Sequence, residues 1–190
     1  MAKKILFTLL AVGLLSALAR WGALAVFTDT ASVPSNTFST GTVDISTSPQ
    51  SALVTFSNMA PGDQVTAPIT VSNAGSLDLR YAVISTTTEN TLAGQLQLTI
   101  KSGVTTCTNA GFGGSGTVLY GPGVLGTTSA TNVIGNPAQG AQSGDRTLSA
   151  SANDVLCFNV SLPLSTGNSF QNLTTTATFA FNAEQTKNNP

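Results

Sequence analysis

Alternation governs nearly every apolar segment beyond residue 60. In Leu96-Gln97-Leu98-Thr99-Ile100-Lys101, apolar and polar side chains exchange places at every step. Val65, Ala67, Ile69 and Val71 share one face of an extended chain, with Thr66, Pro68 and Thr70 on the other. Leu77, Leu79, Tyr81 and Val83 alternate with Asp78 and Arg80. Leu156, Phe158, Val160, Leu162 and Leu164 alternate with Cys157, Asn159 and Ser161. Ala177, Phe179, Phe181 and Ala183 alternate with Thr176, Thr178 and Asn182. A period of two is the mark of a strand with one buried face. Shorter strands are predicted at 38–45, 52–58 and 117–120. About eight strands and no amphipathic helix predict an all-β fold, an antiparallel β-sandwich packed around one core.

Turn residues fall between these runs. Ala60-Pro61-Gly62-Asp63 places Pro and Gly at the two centres of a type II turn. Asn73-Ala74-Gly75-Ser76 is short enough to join its flanking strands as a hairpin. Pro68 has no N–H to donate, which predicts an edge strand. Residues 110–145 are rich in Gly, Ser and Thr and weakly patterned, which predicts a long surface loop. Gly111-Phe112-Gly113-Gly114-Ser115-Gly116 within it lacks the Lys of a phosphate-binding loop and reads as flexible.

The amino terminus has a different grammar. Lys3 and Lys4 precede an apolar run over 5–19, and Ala23-Leu24-Ala25 supplies a small-x-small cleavage pattern. Residues 1–25 therefore read as a signal peptide, cut between Ala25 and Val26. The alternative is a retained anchor, since 5–27 is long enough to span a membrane; Arg20 and Trp21 interrupt that run. No later apolar stretch has spanning length. The expected organisation is a signal peptide (1–25), an amino-terminal strand and linker (26–36) and a sandwich domain (37–190).

Composition narrows the chemistry. Charged residues are 8% of the 190, and there is no histidine. This removes Ser-His-Asp and Cys-His catalysis and any His-ligated zinc helix. Seven Lys and Arg are too few for a nucleic-acid footprint. Hydrophobic residues at 41% exclude a disordered chain. Aromatic residues at 6%, with the one Trp inside the signal segment, leave a sugar-binding cleft poorly supplied. The eight carboxylates are spread along the chain with no EF-hand spacing, so no cofactor, metal site or catalytic residue is expected; a calcium site assembled from loop carboxylates and carbonyls is the alternative. Cys107 and Cys157 read first as a disulfide, because an exported chain meets an oxidising compartment; two free thiols are the alternative. Asn159-Val160-Ser161 and Asn172-Leu173-Thr174 fit the glycosylation pattern.

Val26, Phe27, Thr28, Asp29, Thr30, Ala31, Ser32 and Val33 make a segment of extended propensity that ends at Pro34. It is either an edge strand of its own domain or a strand that joins a neighbouring subunit by β-augmentation. The segment from Phe27 to Val33, with Asn36-Thr37-Phe38-Ser39-Thr40-Gly41-Thr42-Val43-Asp44-Ile45, resembles the start of the TasA/camelysin family. Met59-Ala60-Pro61-Gly62-Asp63, Val71-Ser72-Asn73-Ala74-Gly75-Ser76 and the ending from Phe181 to Pro190 are similar to it as well. The resemblance implies a jelly-roll-like sandwich, secretion, and polymerisation into extracellular biofilm-matrix fibres by donor-strand complementation. Val26 to Val33 would then be the donor strand, and the partners would be other copies of the chain, together with matrix or cell-surface proteins. The family also carries a metalloprotease label, for which this sequence offers no His-Glu-x-x-His motif. The expected function is a non-enzymatic fibre subunit, secreted or displayed at the cell surface. A monomeric adhesion or matrix-binding module is the alternative, and a camelysin-like protease ranks behind both.

Overall fold

The computed structural model describes residues 37–50 and 58–189. Its described strands all belong to one compact unit that begins at Thr40. In chain order they are β1 (Ile45–Ser48), β2 (Gln64–Asn73), β3 (Leu79–Thr87), β4 (Gln97–Ser102), β5 (Thr117–Val124), β6 (Thr131–Ile134), β7 (Arg146–Leu148), β8 (Asn153–Ser161) and β9 (Ala177–Gln185). One sheet has the order β1-β2-β8-β4-β5, antiparallel throughout. The other is centred on β3. Along one side of β3 lie β7, opposite Leu79 to Tyr81, and β6, opposite Val83 to Ser85. Along the other side lies β9, paired with β3 over its whole length. The chain is an all-β sandwich of two antiparallel sheets.

The alternating runs fold as their period dictates. Ile69, Val71, Leu98, Ile100, Leu156, Phe158 and Val160 turn inward from the five-stranded sheet, and Leu79, Tyr81 and Val83 from β3. The rings of Phe158 and Phe179 meet edge-on across the two sheets at 5.0 Å, a favoured aromatic geometry. The Ala60 to Asp63 turn forms as expected: Gly62 takes φ +97° and the Asp63 N–H donates to the Ala60 carbonyl at 2.9 Å.

Four expectations are corrected. Pro68 does not lie on an edge strand, because β2 has β1 on one side and β8 on the other. The tolerance is local: β1 reaches only as far as Thr70, so among the described residues Pro68 faces a partner on the β8 side alone. The Asn73 to Ser76 turn is not a hairpin but a crossing from one sheet to the other. The buried Asn73 builds it, its side-chain oxygen accepting from the Gly75 N–H at 3.0 Å and its amide donating to the Leu77 carbonyl at 2.8 Å. Gly75 must be glycine here, since a Cβ would stand 2.4 Å from the Thr42 carbonyl oxygen. The strand predicted at 38–45 begins only at Ile45; Thr42 is instead tied by several hydrogen bonds to Ser76 and Leu77, and the Asp44 carbonyl accepts from the Ala74 N–H. The stretch 110–145 is not simply loop beyond the strand expected at 117–120: that strand, β5, runs on to Val124, β6 follows it, and Leu125, Val133 and Ile134 reach the core. The predicted strand at 52–58 lies outside the described residues apart from Asn58, which has φ +58°. The helical content is slight. α1 (Thr91–Gln95) is held by Glu89, which accepts from the N–H groups of Thr91, Leu92 and Ala93, and one 3₁₀ turn covers Asn168–Phe170.

Two devices fasten the sandwich. The first is a polar clasp between the sheets. The Tyr81 hydroxyl of β3 and the Arg146 Nε of β7 both donate to Asp154 Oδ2 of β8, each at 2.6 Å. Burial raises the Asp154 pKa, but the two donors outweigh it and hold the carboxyl below its ordinary range. Burial, and then the Asp154 carboxylate, push the Tyr81 phenol far upward. The second device is the disulfide between Cys107 and Cys157, with Cα atoms 5.7 Å apart. Cys157 sits on the outer face of β8, opposite Lys101 of β4 and Pro68 of β2. The bridge therefore pins the loop after β4 onto the outside of the five-stranded sheet. Lys101 assists by donating to the Phe112 carbonyl at 2.8 Å, with its ammonium 4.6 Å from the Phe112 ring centroid.

Two outcomes follow from these fastenings. Because the folded Asp154 pKa is depressed, its stabilisation is complete above the ordinary aspartate pKa of about 4 and fades as pH falls through the folded value. Urea midpoints of wild type and Asp154→Asn are expected to differ by a constant amount from neutrality to about pH 5 and to converge below about pH 4. A gap that persists in acid contradicts the clasp. Closing a loop of 50 residues stabilises by about 4 kcal/mol in the chain-entropy picture. The Cys107→Ser, Cys157→Ser double variant is expected to lose about that much in chemical denaturation; an unchanged midpoint contradicts it.

Candidate interaction surface

Three kinds of place on the described surface bear on function: carboxylate groupings, a cavity and the sheet edges. Most of the described carboxylates are already engaged. Glu184 Oε1 accepts from Arg80 Nε at 2.6 Å and from the Gly140 N–H at 3.0 Å. Asp145 accepts from the N–H groups of Asn136 and Gln142, both at 2.9 Å. Asp154 is held in the clasp, and Glu89 in the α1 cap. Among the described residues, no three His, Cys, Asp or Glu side chains come together as a metal would require.

The cavity has a volume of about 410 Å³ and lies on the outer face of β3 and β9, beneath the segment after β6. Arg80, Asn136, Asp145, Asn182 and Glu184 line it. Arg80 is 7% exposed and bonds both Glu184 and the Asn189 carbonyl, so its charge is spent inside the protein. The segment that roofs the cavity explains why both faces of β3 are covered, with Ala82 only 2% exposed on the outward side. The cavity is part of how this strap seats on the sheet.

The edges differ from one another. β1 is four residues long and is followed by Pro49. β5 carries Gly121 and Pro122, and its register against β4 slips between Leu98 and Ile100. Pro122 has no N–H to offer, and a bulged edge turns away from a newcomer. β9 is nine residues long, Ala-Thr-Phe-Ala-Phe-Asn-Ala-Glu-Gln, without Pro or Gly. Among the described residues it is bonded to β3 and to no other strand. Its inward side chains Phe179 and Phe181 pack on the core yet stay partly exposed, while their neighbours Tyr81 and Val83 on β3 are 1% and 0% exposed. Alternation in the sequence gave away β9 as a strand. Its place at a sheet edge depends on which strands pair, and the local pattern carries no signal of that.

The residues predicted for processing and assembly, Ala23, Ala25 and Val26 to Val33, lie outside the described residues. Of the two glycosylation patterns, Asn159 is 5% exposed and its amide donates to Gln64 Oε1 and Thr66 Oγ1, which takes it out of reach of a transferase. Asn172 stands exposed in a left-handed turn with φ +59°. Among the described residues no helix is long and apolar enough to cross a membrane.

Comparison with known proteins gives one family. No curated protein matches the chain. The family model described as camelysin metallo-endopeptidase matches residues 1–98, about half of the sequence and nearly all of it up to β4. That span contains the Ala60 to Asp63 turn and the buried Asn73 crossing. Membership suggests a secreted or cell-surface protein and supports, at the level of the family, a TasA-like matrix protein. On these grounds the chain belongs to the camelysin family, the family of TasA.

Proposed function

We propose that this protein is a structural subunit of an extracellular fibre, exported by its amino-terminal signal and joined head to tail through the strand at residues 26–33. The observation that carries the reading is the edge of β9, which among the described residues bonds to β3 alone; the strand-forming sequence pattern at 26–33 supports it. A head-to-tail contact that does not close on itself builds a filament. Burying one large apolar side chain such as Phe27 is worth about 1.5–3 kcal/mol, and a run of main-chain hydrogen bonds adds to it. Removing the signal also removes Lys3, Lys4 and Arg20, leaving four basic and eight acidic side chains. So few charges put up little repulsion between copies.

The proteolytic activity in the family's description has little to work with in this chain. A catalytic zinc needs three protein ligands and an open position, commonly with His among the ligands. The sequence has no His, its two Cys are bonded to each other, and the described carboxylates are separate and mostly engaged. These residues do not fit the metal.

The reading is tested by deleting residues 26–33 from the mature chain. Sedimentation is expected to find the intact mature protein in large assemblies, and the deletion variant monomeric with an unchanged β-type circular dichroism spectrum. A folded deletion variant that assembles like wild type contradicts the proposal. So does an intact protein that stays monomeric at every concentration, which is the behaviour of an adhesion module.

A further inference from the structure

We propose that the cavity between β3, β9 and the strap after β6 is a binding site for a neutral sugar residue. The proposal is independent of the fibre reading, since it draws only on residues of the outer face.

The floor comes from two cross-strand pairs. Arg80 stands opposite Glu184, and Ala82 opposite Asn182. Residues two apart on a strand share a face, so these four lie on the side away from the core residues Tyr81 and Val83. The strap brings Asn136, Pro137 and Asp145 over them. Asp145 sets the curve of the strap, its two carboxylate oxygens accepting from the N–H groups of Asn136 and Gln142. The Gly140 N–H fastens the far side by donating to Glu184. The enclosed volume, about 410 Å³, falls at the small end of the roughly 300–1,000 Å³ of small-molecule sites. Arg80 and Ala82 are buried, while Asn136, Pro137 and Asn182 are exposed. The site therefore has a buried base and a rim open to solvent.

Charge decides the class of ligand. Arg80 and Glu184 neutralise each other at 2.6 Å. An anion would meet the carboxylates of Asp145 and Glu184, and a metal cation would stand beside the Arg80 guanidinium; both placements are repulsive. Hydrogen-bonding capacity, by contrast, is left over in both senses. Among the described residues, the Asn136 amide nitrogen and the Asn182 amide oxygen have no protein partner. Arg80 has more N–H groups than the two it spends on Glu184 and Asn189, and each Asp145 oxygen keeps a second lone pair. Donors and acceptors thus stand intermixed. A hydroxyl both donates and accepts, so a ring bearing several hydroxyls answers this wall better than a group of one kind. Ala82 and Pro137 supply small apolar contacts for the C–H edges of such a ring. The chain has no Trp beyond residue 21 on which the ring could stack. Hydrogen bonds therefore carry recognition, and the Kd is expected to be on the order of 1 mM.

Saturation-transfer NMR tests this on the intact mature protein, because it reads weak binding to single subunits and to large assemblies alike. The probes are glucose, galactose and N-acetylglucosamine, each also as a short oligosaccharide, with glucuronate as the anionic counterpart. A saturable signal is expected from at least one neutral sugar and none from glucuronate. Asn182→Ala removes an outward side chain whose one bond is to the Ala180 carbonyl, and is expected to raise the Kd about fivefold, the worth of one hydrogen bond. Ala138→Trp, at an exposed position of the strap, closes the rim by bulk and is expected to abolish the signal. Circular dichroism checks that both variants keep the fold. Loss in either folded variant places the sugar in the cavity. A stronger signal from the oligosaccharide assigns a polysaccharide as its source, and an equal one the free sugar; both support the site. No saturable signal from any neutral sugar overturns the proposal. So does glucuronate binding as well as the neutral sugars, or a signal unchanged in both variants. Each of these results leaves the fibre reading untouched.

Discussion

A β-strand offers hydrogen bonds along both of its sides, and a strand at the rim of a sheet has one side unanswered. The organisation of this protein turns on how it treats that side. In the five-stranded sheet the rim is defended at one end by a four-residue strand and at the other by Gly121 and Pro122 in a strand whose register slips. In the sheet built on β3, the rim strand is the nine-residue, proline-free β9, with its two phenylalanines only partly covered. The rim of the five-stranded sheet is guarded and, among the described residues, the β9 rim is not; the proposed fibre function draws on that asymmetry.

A receptive edge is useful only if it is held still. The clasp of Tyr81, Arg146 and Asp154 draws on three strands, one of them in the five-stranded sheet and two in the sheet that carries β9. The T-shaped contact of Phe158 and Phe179 adds an apolar tie at β9 itself. On the opposite face, the disulfide anchors the loop after β4 to the middle of the five-stranded sheet. The scarce ionisable groups are spent largely in such ties. Arg80, Arg146, Asp154, Glu89 and Glu184 all serve internal contacts, which leaves a surface with few free charges.

Much of this was legible in the sequence, because a period of two needs only neighbouring residues to be read. β2, β3, β4, β8 and β9 all emerged where alternation was strong. The misreadings came from information that is not local. Pro68 looked like an edge residue because the rule considers the strand alone, whereas the outcome depends on how far β1 extends beside it. The Asn73 turn looked like a hairpin because its length fits one; whether a short turn doubles back or crosses to the second sheet depends on which strands take the places alongside. β6 was missed because Thr131 to Ile134 is too short to show a period, though its Val133 and Ile134 reach the core. The functional site divides in the same way. The strand-forming segment at 26–33 is visible as a pattern, while the edge that would receive it exists only once β3 and β9 have paired.

Electron microscopy of the purified mature protein over a range of concentrations tests the central claim most directly. Unbranched filaments of single-subunit repeat, lengthening as concentration rises, are expected. Monodisperse particles of one subunit at every concentration would contradict it.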